Sequence, residues 1–407
     1  MAKVFNDQIV VSIDVGTTKI SVLVAQVIDS RNFEIIGIGK CPSEGLRKGV
    51  VVDVQKTIAS IRTAVKEAEL MANVTIHSAA VGISGGHIHS TNSHGMVPIK
   101  QGSVQKSDID SLMHAAKAIA IPEGMQILHV LPRFFIIDSR EKVQNPLDMH
   151  GVRLEVQAHL IMGAIASVQN LIKCCQMAGV TVSDIILEQL ASADAVLSPD
   201  EREIGVAMLD IGGGTSDLAL YQNGNIVHTY VLPVAGNHFT NDLAVGLRTS
   251  LKEAEKIKKE YGSVNLNAQD CSLQIESVEG QQQQCIPLSV VNTILHARAQ
   301  ELLSLIHEEI IRNKLVSLMP AGLVLTGGGS LLNGIQALAE TIFNVPVRIG
   351  NLRMGYPLPE SLESPIYATG YGLLHQMLKQ QNNLQTIPGP TIARILLRMK
   401  SWVIDFF

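Results

Sequence analysis

Two short segments carry residues suited to holding a phosphate. Residues 14–19 read Asp-Val-Gly-Thr-Thr-Lys and residues 210–217 read Asp-Ile-Gly-Gly-Gly-Thr-Ser-Asp. In the first, Gly16 lets the backbone approach closely, Thr17 and Thr18 supply hydroxyl and amide donors, and Lys19 supplies positive charge. In the second, Gly212, Gly213, Gly214 and Thr215 offer the same parts. Asp14 and Asp210 would repel a phosphate at contact, so the role open to them is to hold a hydrated Mg²⁺ that bridges phosphate oxygens. No G-x-x-x-x-G-K-[ST] occurs, which excludes a P-loop. Either turn alone reads equally well as an ordinary hairpin turn. Two at equivalent places in a repeat, with a third turn at Gly327-Gly328-Gly329, favour phosphate chemistry.

The elements that must position these turns also repeat. Residues 8–16 and 205–213 are β-rich apolar runs ending in Asp-x-Gly. Each is followed by two more strand-like runs, at about 20–28 and 33–38 in the first copy and at 217–222 and 226–233 in the second. Each copy therefore predicts a three-stranded meander whose first turn carries the Asp-x-Gly. Helical spacing follows at 54–71, with Asp53 as N-cap, and at about 238–247, 251–261 and 289–316. Buried strands are predicted at 79–83 and 322–326. Strands alternating with long helices predict an α/β fold with two similar lobes facing one cleft.

Two stretches interrupt the repeat. Residues 84–162 carry strands at Gly95–Ile99, Ile127–Ile137 and Val152–Ile161 around a helix at 107–120, a small α+β insertion in the first lobe. Residues 263–287 read as a loop or edge hairpin. The expected organisation is thus a first lobe over 1–83, the insertion over 84–162, a return through a connecting helix over 163–203, and a second lobe over 204–345. A closing segment at 346–375, a polar tether at 376–391 and a terminal helix at 392–407 complete it.

Composition narrows the function. The 407 residues are 46% hydrophobic, 17% charged and 4% aromatic, which excludes disordered and disulfide-scaffold classes. A net charge of -5 without a basic block gives no electrostatic reason to expect nucleic acid. Five Cys without C-x-x-C predict reduced thiols in a cytosolic protein. The N-terminal residues lack signal-peptide character, and no run of about 18 apolar residues is long enough for a membrane span. His87, His89 and His94 have a spacing open to metal binding, although an exposed strand and turn accounts for them as well.

The three Gly-rich turns on a duplicated α/β frame resemble the actin, heat-shock-70 and hexokinase superfamily over about residues 8–375. That resemblance implies ATP and Mg²⁺ as ligands, with Gly327, Gly328 and Gly329 near the adenine and ribose. It also implies that Glu255 and Lys258, on one face of a helix, bind ribose hydroxyls; a solvated ion pair is the alternative. Leu187-Glu188-Gln189-Leu190-Ala191 resembles the connecting helix whose carboxylate orients the attacking water, which makes Glu188 the catalytic candidate. A helix-start Glu needs no such role, because negative charge is favourable there.

Within the superfamily the chain resembles the FtsA family of bacterial cell-division proteins. The likeness rests on Gly95-Met-Val-Pro-Ile99, on His129-Val-Leu-Pro132 with Gly151-Val-Arg-Leu154, on Ala191-Ser-Ala193 with Val196-Leu197, and on the 84–162 insertion. It implies a self-polymerising adaptor that tethers the tubulin-like protein FtsZ to the cytoplasmic side of the inner membrane and recruits later division proteins. Arg298 and Glu301 match positions implicated in FtsZ contact, where a solvated helix face is the alternative. Other occupants of the same fold are a shape-determining actin-like filament or a metabolite kinase.

The last residues, 392–407, have amphipathic spacing. Ile392, Ile395, Leu396, Met399, Trp402, Val403 and Phe406 share one helical face, with Arg394, Arg398, Ser401 and Asp405 opposite. Such a helix suits an anionic membrane surface, and FtsA-like proteins carry a membrane-targeting tail at this place; packing on the protein's own core is the alternative. Arg394, Arg398 and Lys400 each add about 1 kcal/mol only where lipids are anionic. Removing 392–407 is expected to abolish flotation with anionic vesicles without lowering the melting temperature. Trp402→Glu should nearly do the same, and high salt should weaken binding only in part. Flotation of the truncated protein, or a melting point several degrees lower, would assign the helix to the core.

Overall fold

The computed structural model describes residues 8–29, 32–140, 142–266, 271–276, 283–352 and 362–385. The seven apolar tail residues from Ile392 to Phe406, and the end of the expected tether, lie outside them.

The first lobe opens with the meander β1 (Ile9–Val15), β2 (Lys19–Val27) and β3 (Phe33–Pro42). Both β1 and β2 are covered on two faces, which is why their apolar runs are nearly continuous. Two short strands, β4 (Leu46–Arg47) and β5 (Val50–Val51), lead to α1 (Val54–Ala72) and β6 (Ser78–Ile83). Asp53 caps α1 by accepting the Lys56 N–H at 3.1 Å, and Ile58, Ile61, Val65 and Ala68 bury its apolar face. The helix lies so close to β3 that a Cβ on Gly37 would come within 2.8 Å of the Ala68 carbonyl oxygen.

The insertion contains β7 (His89–Pro98), α2 (Lys106–Lys117), β8 (Met125–Ile137), β9 (Lys142–Val143) and β10 (Arg153–Ala164). Its sheet is antiparallel in the order β7-β10-β8-β9, with Leu112 and Ala116 of α2 buried in its core. The strand expected from Gly95 begins at His89. The polar run His89-Ser-Thr-Asn-Ser-His94 has no apolar alternation, yet pairs along its whole length with β10, from His89↔Met162 to His94↔Gln157.

The chain returns through α3 (Ile165–Met177), β11 (Thr181–Leu187), α4 (Glu188–Val196) and α5 (Pro199–Ile204). The second lobe then repeats the pattern with β12 (Val206–Ile211), β13 (Ser216–Gln222) and β14 (Asn225–Leu232). Next come α6 (Gly236–Leu247), α7 (Leu251–Tyr261), the hairpin β15 (Ser272–Glu276) and β16 (Gln283–Pro287), and α8 (Leu288–Arg312). It closes with β17 (Leu323–Thr326), α9 (Ile335–Phe343) and β18 (Val347–Ile349), and α10 (Ala368–Gln385) follows.

The two main sheets have one topology, β11-β6-β1-β2-β3 and β18-β17-β12-β13-β14. In each, the first meander strand has a parallel neighbour, β6 beside β1 and β17 beside β12. Asp14, Ser84 and Glu188 therefore come off the carboxyl ends of β1, β6 and β11, and Asp210 and Gly327 off those of β12 and β17, the edge where α/β sheets place ligands.

One expectation is corrected. Residues 376–385, expected as part of the tether, continue α10. Leu374 and Leu378 are buried against the first lobe, and Gln376 and Lys379 reach the carboxylate of Asp194 on α4, Lys379 at 2.7 Å. The helix also lies against α4 at Gly372, where a Cβ would come within 2.9 Å of Ala191 Cα.

Candidate functional site

The two Asp-x-Gly turns meet face to face between the lobes. Each is closed by the same bond, Gly16 N–H to the Lys19 carbonyl at 3.1 Å and Gly212 N–H to the Thr215 carbonyl at 3.0 Å. A Cβ on Gly213 would come within 2.8 Å of Thr18 Cβ, and one on Gly214 within 2.7 Å of Thr17 Cβ. Glycine is thus required where the turns approach. The Thr18 hydroxyl donates to Asn237 Oδ1 at 3.3 Å, and Thr17 Oγ1 accepts the Gly49 N–H at 3.0 Å. Gly236 and Asn237, which open α6, donate their N–H groups to the carbonyls of Gly212 and Gly213, so this helix start backs the second turn.

Four carboxylates, Asp14, Glu188, Asp210 and Asp217, converge beneath the turns with Lys19 among them. Asp14 accepts the Ser21 hydroxyl at 3.4 Å; burial pushes it up to about 6, Lys19 pulls it down and Asp210 raises it. Asp210 accepts Ser192 Oγ at 2.6 Å and Thr369 Oγ1 at 3.4 Å, and burial raises it against those bonds. Asp217 accepts Ser84 Oγ at 2.7 Å and Gln189 Nε2 at 2.9 Å on Oδ1, and Thr215 Oγ1 at 3.1 Å on Oδ2. Burial and the charge of Asp210, against the Ser84 bond, carry Asp217 to about 7. Glu188, at the start of α4, is held well above the usual carboxylate range by burial and by Asp14, Asp217 and Asp210. Its side chain lies over Gly82, where a Cβ would come within 3.1 Å of Glu188 Cγ. Lys19 donates to the Ile366 carbonyl at 3.2 Å and sits 4.0 Å from the Tyr367 ring centroid. Burial lowers Lys19, with Asp14 opposing.

Of the residues named from the sequence, the structure brings together Asp14, Lys19, Glu188, Asp210 and the glycines of the two facing turns. Sequence reasoning gave no role to Ser84, Gln189, Ser192 and Thr369, which orient the carboxylates: Gln189 and Ser192 lie inside segments quoted for resemblance alone, and Ser84 and Thr369 lie in no motif. Among the described residues no group of three or more His, Cys, Asp or Glu side chains is arranged to hold a metal ion. His94 instead pairs with Glu155 at 2.9 Å.

The third turn opens into a 3-10 segment at Gly328–Leu331, with Ser330 Oγ donating to the Gly327 carbonyl at 2.7 Å. Gly327 has φ +78, and a Cβ on it or on Gly329 would strike the end of β12 at Asp210 or Ile211. Those two glycines serve the joining of β17 to β12, whereas at Gly328 the nearest atom to a Cβ is 3.8 Å away. Glu255 and Lys258 form an ion pair at 2.7 Å, and Lys258 also donates to the Gly236 carbonyl at 3.1 Å and to Thr240 Oγ1 at 2.9 Å. The pair stands directly behind the second turn. Burial acts to raise Glu255, but hydrogen bonds from Lys258 and Thr240 hold it low. Arg298 is not a freely solvated cation: it grips Asp242 of α6 with two nitrogens, at 2.5 and 3.0 Å, and also bonds Glu301.

Two duplicated lobes with paired Gly-rich turns at their junction define an actin-like fold. Among solved structures, the chain is similar to a type IV pilus biogenesis complex of PilM and PilN, at a TM-score of 0.65 and 16% identity over 91% of this chain and 98% of that one. It is also similar to the MreB5 protein of Spiroplasma citri bound to ADP, at a TM-score of 0.54 and 17% identity over 93% and 99% of the two chains. The insertion matches a family model described as the SHS2 domain inserted in FtsA, over residues 85–162, and residues 207–372 match the model for cell division protein FtsA. The cell division protein FtsA of Pseudomonas aeruginosa is 42% identical, covering 99% of both chains. That of Escherichia coli K12 is 35% identical with the same coverage. The chain belongs to the FtsA family of cell-division proteins.

The carboxylate cluster makes stability depend on pH. A carboxyl group whose pKa is raised in the folded state binds its proton more tightly there than in the unfolded chain. The stability it contributes is present below about pH 4 and is lost as pH rises through about 7 for Asp217. An amide at this position can accept from Ser84 and Gln189 and donate to Thr215, with no charge to bury. Without nucleotide or metal, Asp217→Asn is expected to melt above the native chain at pH 8, with the gap closing toward pH 4. An equal gap at both pH values would remove Asp217 as its source.

Proposed function

We propose that the chain is an ATP-binding, self-polymerising adaptor that holds FtsZ filaments at the cytoplasmic face of the inner membrane and recruits later division proteins. The observation that carries the nucleotide part is the meeting of Gly16-Thr17-Thr18-Lys19 with Gly212-Gly213-Gly214-Thr215 above the buried Asp14, Asp210 and Asp217 and the partly buried Glu188. Further support is that MreB5 of Spiroplasma citri, of the same fold, has been solved with ADP and with AMPPNP.

A hydrated Mg²⁺ fits the residues present. Negative charge exceeds positive charge in a buried site, and Gln189 Oε1 is buried without a protein partner. Asp14 and Asp210 would hold the ion through its waters, and the ion would neutralise phosphate charge. Lys19 adds positive charge beside the first turn. Glu188 would orient an attacking water, Gly328 would lie along the adenosine, and Glu255 and Lys258 would meet the ribose.

Membership of the FtsA family and the spacing of residues 392–407 support attachment to an anionic membrane surface. No helix among the described residues is long and apolar enough to cross a membrane. Partner contact is assigned to α8 around Arg298 and Glu301. Because Arg298 also ties α8 to α6, Glu301, the more exposed of the two, gives the cleaner test.

Calorimetry on the full chain should show Mg-ATP binding that Asp210→Ala weakens by about 10- to 100-fold, the usual cost of losing an outer-shell metal partner. Undiminished affinity would strip Asp210 of this role. Turnover is expected to be slow and to fall on Glu188→Ala more than binding does. In a separate sedimentation assay, Glu301→Lys should reduce co-pelleting with FtsZ polymers while Mg-ATP affinity stays unchanged. Normal co-pelleting would leave this helix face merely solvated.

A further inference from the structure

The inserted subdomain touches both lobes, and a histidine is among its contacts to each. Toward the second lobe, Ser90 Oγ donates to the Thr229 carbonyl at 2.9 Å. His159 bridges Asn92 Oδ1 and Thr229 Oγ1, each at 2.9 Å. Toward the first lobe, His129 of β8 accepts the backbone N–H of Leu187 on Nε2 at 3.1 Å. Leu187 is the last residue of β11, the edge strand of its sheet, and it immediately precedes α4.

Leu187 is fully buried, and a buried N–H without a partner costs free energy. The next turn of chain carries the groups that order the site: Glu188 itself, Gln189 bonded to Asp217 at 2.9 Å, and Ser192 bonded to Asp210 at 2.6 Å. Because Nε2 accepts, the ring proton must sit on Nδ1 and the ring must be neutral. Burial pushes His129 below its ordinary value, with Asp184 opposing.

We propose that His129 is a positioning residue that lets the insertion set the start of α4, and with it the phosphate end of the nucleotide site. The inference rests on the nucleotide-binding reading above. It assigns to the insertion a direct hydrogen bond to the backbone of the residue preceding Glu188.

The test uses the full chain and compares native protein, His129→Gln and His129→Leu by calorimetry with Mg-ATP and with Mg-ADP. The Gln amide oxygen can accept the Leu187 N–H, whereas Leu cannot. His129→Leu should lose about fivefold in Mg-ATP affinity, the scale of one lost hydrogen bond, while Mg-ADP affinity changes less than about twofold. His129→Gln should stay within about twofold of the native chain for both nucleotides. Hydrogen exchange should show the Leu187 amide protected in the native chain and His129→Gln and exposed in His129→Leu. Native affinities in His129→Leu, or an equal loss for both nucleotides, would overturn the proposal, the latter because it marks a general packing role. If His129→Leu does not fold, His129→Asn, whose amide is too short to reach, replaces it. A native chain that binds neither nucleotide would sink the nucleotide reading first, and this inference with it.

Discussion

Unbalanced negative charge at the junction of the lobes is the constraint on which the rest of the structure depends. Asp14, Glu188, Asp210 and Asp217 share a water-poor space with one ammonium, and burial raises the affinity of every one of them for a proton. Such a cluster is tolerated only if the backbone around it is over-determined. Two sheets of the same topology end on it, two glycine turns cover it, and serine, threonine and glutamine donors are spent on its oxygens.

The layer made by α4 and α10 meets this demand. Ser192 of α4 and Thr369 of α10 both bond Asp210, a residue of the opposite lobe, and they also bond each other at 3.0 Å. Ser12 of β1 donates to the Gly370 carbonyl at 2.8 Å, and Gly372 lets α10 lie against the α4 backbone. Close packing of small residues places polar donors in register with the carboxylates, so the helix pair is part of the site. Gln376 and Lys379 extend this contact to Asp194 of α4, so the polar run after Leu374 begins as helix.

The insertion adds a second bridge. Its sheet has its own core of Leu112, Ala116, Leu154, Val156 and Ala158, and its strands reach β14 on one side and the end of β11 on the other. Ile161 of β10 is buried in the first lobe's core and Leu128 and Leu131 of β8 pack against it, while the polar contacts to the two lobes are single hydrogen bonds. The apolar packing supplies stability, and the hydrogen bonds specify orientation, in keeping with the modest net value of single hydrogen bonds.

Much of the architecture was legible in the sequence because it is local. Doubly covered strands write continuous apolar runs, Asp53 marks a helix start, and a repeated Asp-x-Gly marks two turns built alike. The acids, the cation and the glycines of the site could be named for the same reason. Strand β7 was legible only from Gly95, because its first half, His89 to His94, is specified by backbone pairing with β10 and not by side-chain alternation. Arg298 reads as surface charge until the fold brings Asp242, 56 residues away, into reach of its guanidinium. Likewise Thr369 lies 159 residues from the Asp210 it bonds, and Gln189 lies 28 from Asp217. The sequence alone determined which elements form and which turns carry chemistry, since propensity, capping and glycine tolerance act over a few residues. The tertiary structure alone decided the charge state of the cluster and the partners of each carboxylate, since desolvation and hydrogen bonding depend on what the rest of the chain brings close.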